Sequence, residues 1–124
     1  MLRKIAVADA QVLTREGLIS LIRGKDYEIV AAVETKEELF GLVKKTPPDL
    51  LILDYDQVHN LLKIHLELLV REFPASRILM ISSNIQHENV SMILQLGITH
   101  FIHKRCNKDE LVTAIKAAFR NENY

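Results

Sequence analysis

Two aspartates, a serine and a lysine each follow a short apolar run, and together they have the chemistry of a phosphoryl-transfer site. They are Asp9, Asp54, Ser82 and Lys104. Carboxylates gather a hard cation such as Mg²⁺, and the cation lets a carboxylate meet an anionic phosphoryl donor. A hydroxyl and an ammonium can then hold the transferred group. Taken singly, each residue has an ordinary explanation as a turn, cap or solvated residue, so the functional interpretation depends on a fold that brings the four together.

Five short apolar runs predict the strands of such a fold. Most are apolar throughout rather than alternating, as expected of strands buried on both faces of a parallel sheet. The predicted strands are Ile5–Ala8, Tyr27–Val33, Leu50–Leu53, Ile78–Ile81 and Phe101–Ile102. Apolar residues with helical period follow each strand. The helical stripes are Leu18, Leu21 and Ile22; Leu39, Leu42 and Val43; Leu62, Leu66, Leu69, Val70 and Phe73; Val90, Ile93 and Leu94; and Leu111, Ile115, Ala118 and Phe119.

Local signals support the helix boundaries. Thr35 with Glu38, and Asn107 with Glu110, have the spacing of helix-start capping motifs. Pro47-Pro48 ends the second helix, and Pro74 ends the third in the same way. Five β-α repeats with right-handed crossovers predict an α/β fold with a doubly wound, open, five-stranded parallel sheet. Ligands bind such sheets beyond the carboxyl ends of the strands, where the four polar residues would converge.

Length, charge and cysteine content indicate a single domain and argue against a nucleic-acid-binding or disulfide-linked protein. The chain has 124 residues, which predicts a single domain over 1–124. Lys plus Arg and Asp plus Glu are 16 each, so this segment lacks the basic field expected of a domain that binds nucleic acid directly. Cys106 is the only cysteine, which rules out an internal disulfide. No apolar run has the length of a membrane span or of a signal-peptide core, and we predict a cytoplasmic protein with no membrane partner.

The chain resembles the receiver domain of two-component response regulators over essentially its whole length. Ile5-Ala6-Val7-Ala8-Asp9 resembles the first strand with its acidic end, and Asp54 matches the phospho-accepting aspartate. Ser82 matches the Thr/Ser of the family, and Phe101-Ile102-His103-Lys104 matches the strand that bears the switch aromatic and the lysine. Thr14-Arg15-Glu16-Gly17-Leu18 is similar to a stretch common in the subfamily with LuxR-type helix-turn-helix output domains.

This resemblance implies a flavodoxin-like strand order of 2-1-3-4-5 and a signalling switch rather than a metabolic enzyme. A sensor histidine kinase would pass a phosphoryl group to Asp54, and the domain would catalyse only this acceptance and its slow hydrolysis. Asp9, Asp54 and the backbone carbonyl of Asp56 would hold Mg²⁺. Lys104 would pair with Asp54 and then with the phosphoryl group.

The resemblance also implies how the signal leaves the site. Ser82 would bind a phosphoryl oxygen, and Phe101 would follow it inward. That movement would remodel the face made by the fourth helix, fifth strand and fifth helix. Receivers of this kind usually form homodimers or contact output domains through that face. A C-terminal DNA-binding domain outside this segment is the output that the subfamily implies.

Departures from the family pattern leave alternatives open. Receivers usually have a second acid where this chain has Ala10, and its absence should weaken Mg²⁺ binding. The Asp56 side chain could replace that acid, or Asp56 could be a solvated residue of a loop, 55–60, that lacks the usual Pro and Gly. His100 stands where the family has Gly. A degenerate receiver that acts through protein contacts without Mg²⁺-dependent phosphorylation is the alternative function. A flavodoxin-like cofactor-binding domain is a remote one, because the four glycines are not clustered.

Overall fold

Five parallel strands form one sheet in the computed structural model, which describes residues 2–24, 26–55, 63–83 and 87–120. The sheet order is β2-β1-β3-β4-β5, and every neighbouring pair is parallel. The predicted fold class and strand order are therefore confirmed. The strands are β1 Arg3–Ala8, β2 Tyr27–Val33, β3 Leu50–Asp54, β4 Ile78–Ser82 and β5 His100–His103.

A helix follows each strand, as predicted. The helices are α1 Val12–Ile22, α2 Lys36–Lys45, α3 Lys63–Glu72, α4 His87–Gln95 and α5 Lys108–Phe119. Both predicted N-caps form, and the cap of α5 is a complete capping box, whereas in α2 the Glu38 side chain accepts from the Glu34 N–H and not from that of Thr35. The Glu38 N–H donates to Thr35 Oγ1 at 3.2 Å, and the Glu110 N–H donates to Asn107 Oδ1 at 2.8 Å. The structure adds a short 3₁₀ turn, Ala75–Arg77, which the helical periodicity did not predict.

Helices cover both faces of the sheet, and alternate residues of β3 show how. Leu51 and Leu53 pack with residues of α2, α3 and α4, whereas Leu50 and Ile52 pack with residues of α1 and α5. All four are fully buried, and each such side chain stabilises the fold by roughly 1.5–3 kcal/mol. Leu94 of α4, a member of a predicted helical stripe, is 47% exposed and lies outside the core. Leu62, predicted as part of the third stripe, lies outside the described residues.

The strand register aligns the carboxyl ends of the central strands at one edge. Ala8, the last residue of β1, pairs with Leu53, one residue before β3 ends in Asp54. Ser82, which ends β4, pairs with His103 of β5. The residues that follow these strands therefore meet at the same edge. None of the helices in the described ranges is long and apolar enough to cross a bilayer.

Candidate functional site

Asp54 and Lys104 form a buried ion pair at this edge. Lys104 Nζ lies 2.7 Å from Asp54 Oδ2, with the Asp54 side chain fully buried and that of Lys104 only 14% exposed. Backbone bonds to β4 hold the chain at both positions: the Tyr55 N–H, directly after Asp54, donates to the Ile81 carbonyl at 3.0 Å, and the Lys104 N–H donates to the Ser82 carbonyl at 3.1 Å. A carboxylate beside a fixed ammonium is a suitable arrangement for a nucleophile that must meet an anion.

Asp9 is buried beside this pair and is held through three of its four polar groups. Its N–H donates to the Val33 carbonyl at 2.9 Å. Its carbonyl accepts from Arg15 Nη1 at 2.9 Å, and its Oδ1 accepts from the Gln11 N–H at 2.8 Å. The remaining oxygen, Oδ2, is buried with no hydrogen-bond partner among the described residues. This oxygen is the part of Asp9 left for a cation.

The electrostatics of Asp9 reflect that arrangement. Burial is the largest cause that raises the pKa of Asp9, to about 6, and the nearby Asp54 carboxylate acts in the same direction. The Gln11 N–H and the Lys104 ammonium oppose the rise in the pKa. Two carboxylates thus share a buried site with one ammonium, and a further cation would relieve their repulsion.

Mg²⁺ suits this donor set. In proteins it is usually held by one or two carboxylates, with waters and substrate phosphates completing its octahedron. Asp9 and Asp54 supply two carboxylates, and Asp9 Oδ2 is free of other donors in the described structure. No group of three or more His, Cys, Asp or Glu residues suited to a metal occurs within the described ranges. The predicted third contributor, Asp56, lies outside those residues, so its role as a ligand stays a prediction.

Ser82 and Phe101, the predicted switch residues, lie on the neighbouring strands β4 and β5. Ser82 is buried at the end of β4, whose Ile81 is the register partner of Asp54. Phe101 of β5 is half-buried and packs on the sheet face covered by α2, α3 and α4. Phe101 is the register partner of Met80, two residues before Ser82 on β4, and the switching roles of both residues stay predictions.

His100 has an environment that the sequence did not predict. Its register partner, Leu79, belongs to the core between the sheet and helices α1 and α5, and His100 is 1% exposed. Burial lowers the pKa of His100. Its Nδ1 has no hydrogen-bond partner in the part of the chain that the structure describes. A buried imidazole therefore stands at the start of β5, at the position where receiver domains usually have a glycine.

Sequence reasoning also missed two residues that contact the site. Gln11 Oε1 lies 3.5 Å from Lys104 Nζ, and Arg15 bridges the Asp9 carbonyl and Glu34. Gln11 carries no motif that would have singled it out. Arg15 lay in the stretch used for the resemblance, but its contacts depend on the tertiary arrangement of β1, β2 and α1.

Comparisons with known proteins agree with this geometry. A family model described as the response regulator receiver domain matches residues 5–116. The transcriptional regulatory protein DegU of Brevibacillus brevis is 25% identical, over 98% of this chain and 52% of its own length. The oxygen regulatory protein NreC of Staphylococcus carnosus is 25% identical, over 98% of this chain and 57% of its own. The chain thus spans about half the length of the curated relatives it matches.

Solved structures show the same fold. A two-component response regulator of the LuxR family from Aurantimonas sp. SI85-9A1 superimposes with a TM-score of 0.86 and 23% identity, covering 99% of this chain and 89% of that one. A CheY-like receiver domain protein from Methanospirillum hungatei JF-1 has a TM-score of 0.85 and 20% identity, covering 97% and 95%. At these identities the likeness concerns the fold alone. The match of the family model over nearly the whole chain goes further, and the chain belongs to the response regulator receiver domains of two-component signalling systems.

Proposed function

We propose that this domain accepts a phosphoryl group on Asp54 from the phosphohistidine of a sensor histidine kinase. The observation that carries the proposal is the buried pair of Asp54 Oδ2 and Lys104 Nζ at 2.7 Å, beside an Asp9 carboxylate whose Oδ2 lacks a donor in the described structure. This arrangement provides a nucleophile, a fixed positive charge and oxygen ligands for a cation at one strand edge.

The transfer makes one bond and breaks one. A carboxylate oxygen of Asp54 attacks the phosphorus, and the P–N bond to the kinase imidazole breaks with its electron pair remaining on nitrogen. Lys104 stays within reach of both the carboxylate and the transferred group, and its ammonium balances charge on the phosphoryl oxygens. When bound by Asp9 and Asp54, with Asp56 as the proposed third contributor, Mg²⁺ would supply further charge neutralisation on those oxygens. Slow hydrolysis of the acyl phosphate resets the domain, which acts as a switch rather than a metabolic enzyme.

The output follows from the new charge. Phosphorylation adds negative charge and acceptor oxygens beside the buried Ser82 hydroxyl, which would hydrogen-bond to them. Phe101 on the adjacent strand would then move inward and alter the face formed by α4, β5 and α5. This face would serve as the homodimer or output contact. The relatives that carry regulatory names are about twice as long as this chain, which supports a C-terminal DNA-binding output domain outside this segment. The family resemblance is the ground on which we propose a cytoplasmic setting.

Ala10 specifically favours a second candidate, a degenerate receiver that works through protein contacts alone. An alanine there removes one carboxylate from the cation site. Intact-mass measurement after incubation with acetyl phosphate separates the two candidates. We expect one added phosphoryl group that requires Mg²⁺ and is lost in Asp54→Asn. A folded protein that gains no mass under any condition would instead establish the degenerate receiver.

A further inference from the structure

Arg15 of α1 contacts both Asp9, which directly follows β1, and Glu34, which directly follows β2. It lies in the first turn of α1, and its side chain is 12% exposed. Arg15 Nη1 donates to the Asp9 carbonyl at 2.9 Å and lies 2.8 Å from Glu34 Oε1. A single guanidinium nitrogen has two hydrogens, so it can make both contacts at once. Arg15 thereby connects the residues that directly follow β1 and β2.

The Glu34 side chain is 48% exposed, but its backbone is held at the start of α2. It directly follows β2, and its N–H donates to Glu38 Oε1 at 3.3 Å. The next residue, Thr35, is the N-cap of α2. Arg15 therefore binds a carboxylate whose backbone is anchored to the start of a helix, and the Arg15 side chain is itself mostly buried.

The consequence falls on Asp9. Its N–H is bound to β2, its carbonyl to Arg15 and its Oδ1 to the Gln11 N–H. With these three groups held, the residue has little freedom to turn its last oxygen, Oδ2, away from the site. Loss of the Arg15 contact would release the carbonyl and let the chain after β1 shift.

We propose that Arg15 and Glu34 are positioning residues for Mg²⁺-dependent phosphorylation, holding Asp9 so that its Oδ2 stays available to the cation. The inference rests on the proposed function, and neither residue touches the reacting atoms. Glu34 has a second effect: it neutralises a guanidinium that lies close to a site already lacking an acid at Ala10.

Positioning and simple charge predict opposite results for one substitution. Arg15→Gln removes a positive charge near the cation site, so Coulomb interactions alone would make Mg²⁺ bind more tightly. If Arg15 positions Asp9, the same substitution should weaken Mg²⁺ binding. We expect about a tenfold weakening, in the range seen when residues that support metal ligands are replaced. Glu34→Gln should also weaken binding, because it leaves the guanidinium uncompensated and removes one of its two anchors.

The experiment is calorimetric titration of the metal-free protein with Mg²⁺, alongside the rate of phosphorylation by acetyl phosphate. Thermal unfolding of each variant confirms that it is folded. Arg23→Gln, just after α1, and Glu37→Gln, in the first turn of α2, delete the same charges at exposed residues and should leave both readouts unchanged. Arg15→Lys keeps the charge and can keep one contact, so it should recover part of the affinity. If Arg15→Gln does not fold, Arg15→Lys carries the test, because it keeps the charge and gives up a contact. Mg²⁺ affinity equal to that of the wild type in folded Arg15→Lys would then refute the positioning role.

Two results would overturn the inference, and they are distinguishable. Unchanged or tighter Mg²⁺ binding in folded Arg15→Gln, with a wild-type protein that binds Mg²⁺ and is phosphorylated, would refute the positioning role and leave the proposed function intact. A wild-type protein that neither binds Mg²⁺ nor gains a phosphoryl group would refute the proposed function, and the inference with it.

Discussion

Replacing Asp9 by Asn should stabilise the metal-free protein, and the gain should grow as the pH rises. Burial, with Asp54 nearby, raises the pKa of Asp9 from 3.8 to about 6 in the folded protein. The folded state therefore holds this proton more tightly than the unfolded state does. The contribution of Asp9 to stability is most favourable below pH 3.8, and it declines as the pH rises from there to about 6.

The size of the effect follows from the two pKa values. The gap between 3.8 and about 6 corresponds to about 3 kcal/mol of unfolding free energy over the whole window. About 2 kcal/mol of that is lost between about pH 4.5 and about pH 7.5, a range in which both proteins can be compared. Asn has no proton to lose there, so the difference between Asp9→Asn and wild type should increase by this amount.

Urea unfolding in the presence of EDTA, at several pH values, measures that difference. Glu37→Gln, which removes an exposed carboxylate, is the control for deletion of a charge as such. Addition of Mg²⁺ at about pH 7.5 should raise the stability of the wild type and not that of Asp9→Asn. A difference in unfolding free energy between the two proteins that stays constant or shrinks as the pH rises would refute the claim that burial raises the pKa of Asp9.

Three further outcomes are expected. Ala10→Asp should tighten Mg²⁺ binding by about tenfold in calorimetric titration, because it restores a carboxylate at the cation site. Unchanged affinity would show that Ala10 does not limit Mg²⁺ binding. Asn107→Ala should lower the unfolding free energy by about 1 kcal/mol in urea, because the capping box at the start of α5 is lost, whereas no change would mean that solvent replaces the cap. Because burial lowers the pKa of His100, the wild type should lose stability as the pH falls below 6.5. His100→Leu should not show this loss, and parallel pH profiles of the two proteins would contradict the prediction.

The fold was largely predictable because its central strands are apolar nearly throughout. β3 and β4 are apolar nearly throughout and buried on both faces, so neither could be mistaken for a surface element. β5 is shorter and includes His100 and His103, one buried and one exposed, so only its apolar centre was predicted from sequence. The 3₁₀ turn at Ala75–Arg77 has too few residues to show a period.

The candidate site was predictable to the extent that strand ends define it. Asp9, Asp54 and Lys104 were found because topology brings the ends of β1, β3 and β5 to one edge. The contacts of Arg15 with the Asp9 carbonyl and Glu34 were not, because they depend on the distance between two loops. Backbone groups such as that carbonyl have no signature in a sequence pattern.

Ala10 links the stability of the resting domain to its affinity for a cation. At neutral pH the described site holds two carboxylates, those of Asp9 and Asp54, against the single ammonium of Lys104. A third carboxylate at position 10 would add repulsion to a site in which burial already disfavours the charge on Asp9. The substitution that tightens Mg²⁺ binding should therefore also destabilise the metal-free protein and raise the pKa of Asp9 further. If Ala10→Asp improved both Mg²⁺ affinity and metal-free stability, the Arg15 guanidinium bound to the Asp9 carbonyl would have to count in the charge balance of the site alongside Lys104.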